Sequence, residues 1–147
     1  MTRNGETMSA ISDGVYRISI DGRDNLTLSS PDNRNLFLLP GEGPGQDWEI
    51  RNSGNGSNGD STYTIRRASG PQFVGFEGEP DVFERVLPRP EPREWRISEG
   101  PRPGTFTIGV VDNELTLGLH PALIFPPLVA LSPAFAEDRG WALTPAG

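Results

Sequence analysis

Gly14-Val-Tyr16-Arg-Ile18, Leu26-Thr-Leu28, Leu36-Phe-Leu38-Leu39-Pro40 and Trp48-Glu-Ile50 are four short apolar blocks, and the same order of blocks returns twice. The second pass reads Ser61-Thr-Tyr63-Thr-Ile65, Phe73-Val74-Gly-Phe76, Arg85-Val86-Leu87-Pro88 and Trp95-Arg-Ile97. The third reads Gly104-Thr-Phe106-Thr-Ile108, Leu115-Thr-Leu117, Leu128-Val129-Ala-Leu131-Ser-Pro133 and Trp141-Ala-Leu143. Tyr16 lies 32 positions before Trp48, Tyr63 lies 32 before Trp95, and Phe106 lies 35 before Trp141. The proline closing the third block precedes the Trp by 8, 7 and 8 positions, and all three tryptophans of the chain are used. An internal repeat of this kind sets the fold before any local reading does.

Within each block the paired apolar residues are two apart, as in Tyr16/Ile18 and Trp48/Ile50. That spacing puts both side chains on one face of a strand and sends Arg17 and Glu49 to the other, toward water. Turn residues separate the blocks: Asp21-Gly22, Pro31-Asp-Asn33, Gly41-Glu-Gly-Pro-Gly45, Asn52-Ser-Gly-Asn-Gly56, Ser69-Gly-Pro71, Pro88-Arg-Pro90 and Pro101-Arg-Pro-Gly104. No amphipathic helix stands out. Four strands in each of three units predict about twelve strands. One unit cannot bury its apolar face alone, so the units must close around a common axis. A propeller wants four or more blades of roughly 40 residues, and a sandwich gives no reason for a threefold repeat. The expected fold is an all-β β-trefoil of three pseudo-threefold four-stranded units. Residues 1–13 read as a flexible N-terminal segment and 14–147 as one domain, with units at about 14–59, 60–102 and 103–147.

Composition narrows the function. The 147 residues carry 13 basic and 20 acidic side chains, a net charge of −7, without a basic run to meet a phosphate backbone, so nucleic acid is not an expected partner. No stretch approaches the roughly 20 apolar residues of a transmembrane helix. Met1 to Ser12 lacks the apolar core of a signal peptide, and the expected location is cytoplasmic. With no Cys there is no disulfide, no thiolate nucleophile and no Cys-based zinc site, and no cofactor is implied. Every basic residue is Arg, which removes any Schiff-base or phosphate-loop lysine. His120, the sole histidine, sits between Leu119 and Pro121 with no nucleophile elbow in the chain. The acidic Glu77-Gly-Glu79-Pro-Asp81 stretch is a solvated turn before it is a calcium site. The chain reads as a monomeric binding protein and not as an enzyme.

The chain resembles the β-trefoil protease inhibitors of mushrooms, the cospin-like serine protease inhibitors and their mycocypin relatives. The resemblance spans about residues 14 to 145 and rests on Tyr16-Arg-Ile18, Leu39-Pro40, Leu87-Pro88, Gln46-Asp-Trp48-Glu-Ile50 and Ile124-Phe125-Pro126-Pro127-Leu128-Val129. It implies a protease as partner, trypsin-like first, blocked by a substrate-like loop between the second and third strands of the first unit. Here that loop holds Pro31, Asp32, Asn33, Arg34 and Asn35, with Arg34 for a pocket that carries a buried carboxylate. Pro-Asp-Asn is equally an ordinary hairpin turn and its Arg a solvated one. The resemblance also implies a second trypsin-directed loop at Arg66, Arg67 and Ala68. Its cysteine-protease surface would fall on Gly22, Arg23, Gly41, Gly43 and Gly45, which are equally plain connectors.

A glycan is the alternative partner. Sugar-binding trefoils of the ricin type carry Gln-x-Trp in each unit; Gln46-Asp-Trp48 fits, while Arg93-Glu-Trp95 and Arg139-Gly-Trp141 depart from it. A third class is a protein-interaction module with a non-protease partner. Trefoils host all three, so the site must decide.

Overall fold

A computed structural model describes residues 11–20, 26–32, 34–41, 45–55, 61–121, 126–133 and 140–146. Among these residues there are twelve strands and no helix. They are β1 (Gly14–Ile20), β2 (Thr27–Ser29), β3 (Phe37–Leu39), β4 (Trp48–Asn55), β5 (Ser61–Arg67), β6 (Phe73–Gly75), β7 (Leu87–Arg89), β8 (Trp95–Glu99), β9 (Phe106–Val110), β10 (Thr116–Leu119), β11 (Val129–Ser132) and β12 (Trp141–Pro145).

The first and fourth strands of each unit build a ring. β1 pairs with β4 and β12, β5 with β4 and β8, and β9 with β8 and β12, all antiparallel. Closure leaves no free edge in these six strands. The second and third strands form the hairpins β2–β3, β6–β7 and β10–β11. The hairpins meet one another: Leu38 N–H donates to the Pro127 carbonyl and Val86 N–H to the Val129 carbonyl, both at 3.0 Å. A six-strand barrel with three hairpins joined over it is the β-trefoil.

The repeat seen in the sequence is a repeat of atoms. Tyr16 faces Trp48, Tyr63 faces Trp95 and Phe106 faces Trp141 in the cross-strand register. Each indole Nε1 donates to a second-strand carbonyl of its own unit: Trp48 to Leu28 at 3.0 Å, Trp95 to Val74 at 3.0 Å, Trp141 to Leu117 at 3.1 Å. All three rings are buried. A buried indole needs a partner for its N–H, and a strand carbonyl supplies it without any further polar group in the core. Ile18, Ile50, Ile65, Ile97 and Ile108 fill the barrel beside them.

Three local readings differ from the structure. Asn52-Ser-Gly-Asn reads as a turn, yet β4 runs on to Asn55 through a register shift between Asn52 and Gly54. The Asn52 carboxamide oxygen accepts the Gly54 N–H at 3.2 Å, and Gly54 has φ 130, so the turn-forming residues make a bulge instead. Pro88 does not end its strand but lies inside β7 opposite Val74, where no N–H of its own is needed for the hairpin. Glu49 is not simply solvated: it lies opposite Arg66 in the register and accepts from Arg66 Nε and Arg51 Nε, each at 3.1 Å. Of the N-terminal segment, only residues 11–13 are described, and they are anchored. Ile11 N–H donates to the Tyr63 hydroxyl at 3.0 Å, the Tyr16 hydroxyl to the Ser12 carbonyl at 2.7 Å, and Asn52 N–H to the Asp13 carboxylate at 2.8 Å.

Candidate functional site

The loop of the first hairpin is held by one carboxylate. Asp32 accepts the backbone N–H groups of Arg34 and Asn35, both at 3.0 Å, and the Asn35 side-chain amide at 3.2 Å. These donors, Arg34 N–H foremost, hold its carboxyl below the ordinary aspartate value. Asn35 in turn accepts from Arg85 Nη2 of the second hairpin at 3.1 Å. Arg34 is exposed, and among the described residues its side chain has no hydrogen-bond or ion-pair partner. Pro31 is exposed beside it, while Asn33 lies outside the described residues.

Arg66 and Arg67 are strand residues, the last two of β5. Arg66 is tied to Glu49 and, through Nη1, to the Gly70 carbonyl at 2.9 Å; Arg67 Nη2 approaches the Ser69 hydroxyl at 3.4 Å. Ala68 donates to the Asp47 carbonyl at 3.0 Å. Arg66 and Arg51 hold the Glu49 carboxyl below its usual value. Of the five residues assigned to cysteine-protease contact, Gly22, Arg23 and Gly43 lie outside the described residues. Gly45 has φ 68, and a Cβ there would stand 2.5 Å from the Ser30 carbonyl oxygen. Its own carbonyl accepts the Ser30 N–H at 2.9 Å, so Gly45 fastens the third-to-fourth connection to the first hairpin. A Cβ on Gly41 would meet the Thr27 hydroxyl in ordinary contact.

Gln46, the glutamine of Gln-x-Trp, is buried and donates to the Ser29 hydroxyl at 3.1 Å and the Pro40 carbonyl at 2.6 Å. In the second unit Arg93 takes that place: its Nη2 donates to the Phe76 carbonyl at 2.8 Å and its guanidinium lies 3.9 Å from the Phe76 ring centre. A cleft of about 460 Å³ opens beside it. Its Arg89 is bonded to Glu77 at 2.8 Å and Glu91 at 3.4 Å, so this guanidinium is already engaged by carboxylates.

A second cleft, of about 520 Å³, lies where the second hairpin meets the β9–β10 turn of the third unit. Asp81, Asp112, Asn113 and Glu114 give its polar wall; Pro80, Val82 and Pro133 give its apolar one. Both sides are fixed. On the hairpin, Phe83 N–H donates to the Leu131 carbonyl at 2.8 Å, and Leu131 N–H returns to the Glu84 carbonyl at 2.9 Å. Asp81 caps its own turn by accepting Val82 N–H at 2.8 Å. On the third unit, the Asn113 carboxamide accepts Leu115 N–H at 2.9 Å, and Val110 N–H closes the turn on the Leu115 carbonyl at 2.9 Å.

Two non-glycine residues among those described have left-handed backbones: Asp112 at φ 60, in the wall of this cleft, and Phe83 at φ 64, next in the chain to its Val82. Aspartate tolerates that region; a bulky aromatic does so at a cost of about 1–3 kcal/mol. Phe83 is also 41% exposed and its neighbour Val82 49%, the large apolar side chains most open to water among those described. Sequence reasoning named Asp81 only within an acidic turn and missed Phe83, Asp112 and Asn113. Among the described residues no group of three or more His, Cys, Asp or Glu could hold a metal ion.

The ring of six strands, the three capping hairpins and the three equivalent indole hydrogen bonds define the class: a β-trefoil. Among solved structures the chain is similar to the ricin B-like lectin of Macrolepiota procera in complex with lactose, at 22% identity over 93% of this chain and 99% of that one, with a TM-score of 0.76. The Rhizoctonia solani agglutinin matches at 16% identity over 93% and 98% of the two chains, TM-score 0.66. A Culex quinquefasciatus salivary protein of the cysteine and tryptophan-rich family matches at 15% identity over 94% and 96%, TM-score 0.64. At these identities the likeness is one of fold. No family model matches the chain, and no curated protein matches it.

Proposed function

We propose that this chain is a carbohydrate-binding β-trefoil whose recognition site is the cleft between the second hairpin and the β9–β10 turn, acting by binding without catalysis. The observation that carries the reading is a cleft in which the exposed Val82, with Pro80 and Pro133, faces Asp81, Asp112 and Asn113, with the exposed Phe83 next in the chain. A pyranose has an apolar C–H face and a rim of hydroxyls. The first packs on an aromatic or aliphatic surface; the second is met by carboxylate oxygens, which only accept, and by a carboxamide, which donates and accepts. Few polar groups against an apolar wall, in a pocket of 300–1,000 Å³, is the usual make-up of a small-ligand site. Support from fold comes from the likeness to a lectin solved with lactose. The test is a glycan array with the wild-type protein and Asp112→Ala. Binding to a defined set of glycans that the variant loses is the expected outcome. Silence of the wild type across the array would reject the reading.

A second reading is inhibition of a trypsin-like protease through the first hairpin. The observation in its favour is Arg34, exposed and without a side-chain partner among the described residues, on a loop where Asp32 accepts three hydrogen bonds, which lowers the ordering cost of docking. A trypsin assay with Arg34→Glu and Arg67→Glu beside the wild type decides it: stoichiometric inhibition lost in Arg34→Glu alone supports this reading, and no inhibition by the wild type removes it.

A further inference from the structure

We infer that Arg96 is a positioning residue for the cleft, fastening the β9–β10 turn that carries Asp112 and Asn113, and that position 109 is glycine to let it do so; this rests on the carbohydrate reading above. Arg96 stands in β8, outside the cleft. Its Nη1 donates to the Val110 carbonyl at 3.1 Å, and Val110 is the residue whose N–H closes the turn on the Leu115 carbonyl.

The same place in the ring is filled differently in each unit. Glu49 lies opposite Arg66, Ala142 opposite Ser19, and Arg96 opposite Gly109. In the first pair two charged side chains meet, and Glu49 accepts from Arg66. In the last, the strand opposite Arg96 is bare. A Cβ on Gly109 would stand 2.7 Å from Arg96 Nη2 and 3.3 Å from its Cζ, with Thr116 Cγ2 next at 3.7 Å. The guanidinium therefore lies over the glycine on its way to the Val110 carbonyl. Gly109 is not among the glycines with positive φ, so its backbone does not call for glycine. The space taken by Arg96 does.

A guanidinium donor makes a stronger hydrogen bond to a carbonyl than a neutral donor does. This one fastens the turn from the β8 side, while Asn113 fastens it from within by accepting Leu115 N–H at 2.9 Å. Asp112, at φ 60, sits between the two attachments. A turn fixed before a sugar arrives presents its carboxylate and carboxamide already in place, which lowers the ordering cost of binding. Arg96 thus acts on the ligand through the turn and not by touching it.

The experiment probes a glycan array over a concentration series with the wild type, Gly109→Ala, Arg96→Met and the double variant, beside a denaturation curve for each. Gly109→Ala displaces the end of a flexible side chain and no backbone atom; Arg96→Met removes the donor and leaves the backbone untouched. Each single change should weaken binding about three- to tenfold, the worth of one hydrogen bond, with the denaturation midpoint of Gly109→Ala close to wild type. The double variant should bind as Arg96→Met does, because the alanine works only by pushing the guanidinium aside. Amide resonances of the unliganded Gly109→Ala protein should move at residues 110–115 and hold at 80–84. Losses that multiply in the double variant, or that follow a falling midpoint, make Arg96 a packing residue and overturn the inference. Unchanged binding by Arg96→Met overturns it too and leaves the carbohydrate reading standing. Silence of the wild type toward every glycan overturns both.

Discussion

The first and second hairpins hang from the same frame and end in different loops. Leu28 pairs with Leu38 ten positions on, and Val74 with Pro88 fourteen positions on, although Trp48 and Trp95 bond to Leu28 and Val74 alike. The short loop closes on itself: one carboxylate, Asp32, collects the N–H groups that the turn leaves open. The longer loop leans on its neighbour instead. Phe83, Glu84 and Val86 all bond to β11 of the third unit, and the extra length brings Asp81 and Val82 over the Asp112 turn. A shared frame with unequal loops places stability in what repeats and recognition in what does not.

The largest effect that would break this comparison is on the frame. Trp95→Ala should cost about 3–5 kcal/mol in chemical denaturation, from the lost ring and from the Val74 carbonyl left without its donor. Trp48→Ala and Trp141→Ala should cost the same within about 1 kcal/mol, because each indole donates to the equivalent second-strand carbonyl. A cost confined to one of the three would mean that the threefold frame is not shared energetically.

Next is the longer loop. Phe83→Gly removes both the exposed aromatic and its left-handed strain. Glycan affinity should fall about two- to tenfold, since a ring contact contributes about 0.5–1.5 kcal/mol. The melting temperature should hold or rise, since glycine populates positive φ freely. Loss of stability together with affinity would make Phe83 a packing residue and dissolve the contrast between the loops.

The short loop supplies a smaller effect with a defined pH dependence. Because Asp32 titrates below the ordinary carboxylate value in the folded chain, its contribution is complete above the unfolded value of about 4 and disappears as pH falls through the folded value. Asp32→Asn should thus be less stable than wild type at neutral pH, by about 1 kcal/mol at most, and equal to it in strong acid. Denaturation curves of the pair between neutral and strongly acidic pH give the measurement. The smallest effect is expected at Glu49→Gln. Its arginine partners remain open to solvent, and such pairs contribute under about 1 kcal/mol, so the midpoint should shift only slightly and less at high salt.

The frame was legible in the sequence because its physics is periodic. Each Tyr or Phe must face an indole across two strands, so the aromatic-to-Trp interval repeats, and two-residue alternation marks the buried face. Local turn chemistry was legible less often. Asn52-Ser-Gly carries every mark of a reversal and makes a bulge, because the cross-strand partner Tyr63 keeps the ladder going on its far side. The cleft was not legible. Asp81 and Asp112 belong to different units, and only the docking of one hairpin on another brings them together. Phe83 gives no hint of its backbone, since left-handed turns are signalled by Gly, Asn or Asp and a phenylalanine is forced into one only by its tertiary contacts. Conversely, Gln46-Asp-Trp48 looks like a binding motif and is a staple: its glutamine ties β2 to the end of β3 from inside.

The central claim, that ligand is recognised where the second hairpin meets the third unit, is tested most directly by following backbone amide resonances while a glycan that binds on the array is added. The account predicts shifts concentrated at residues 80–84 and 112–115, with the first hairpin from Pro31 to Asn35 unmoved. Shifts confined to the first hairpin, or to the Arg89–Arg93 cleft, would contradict it.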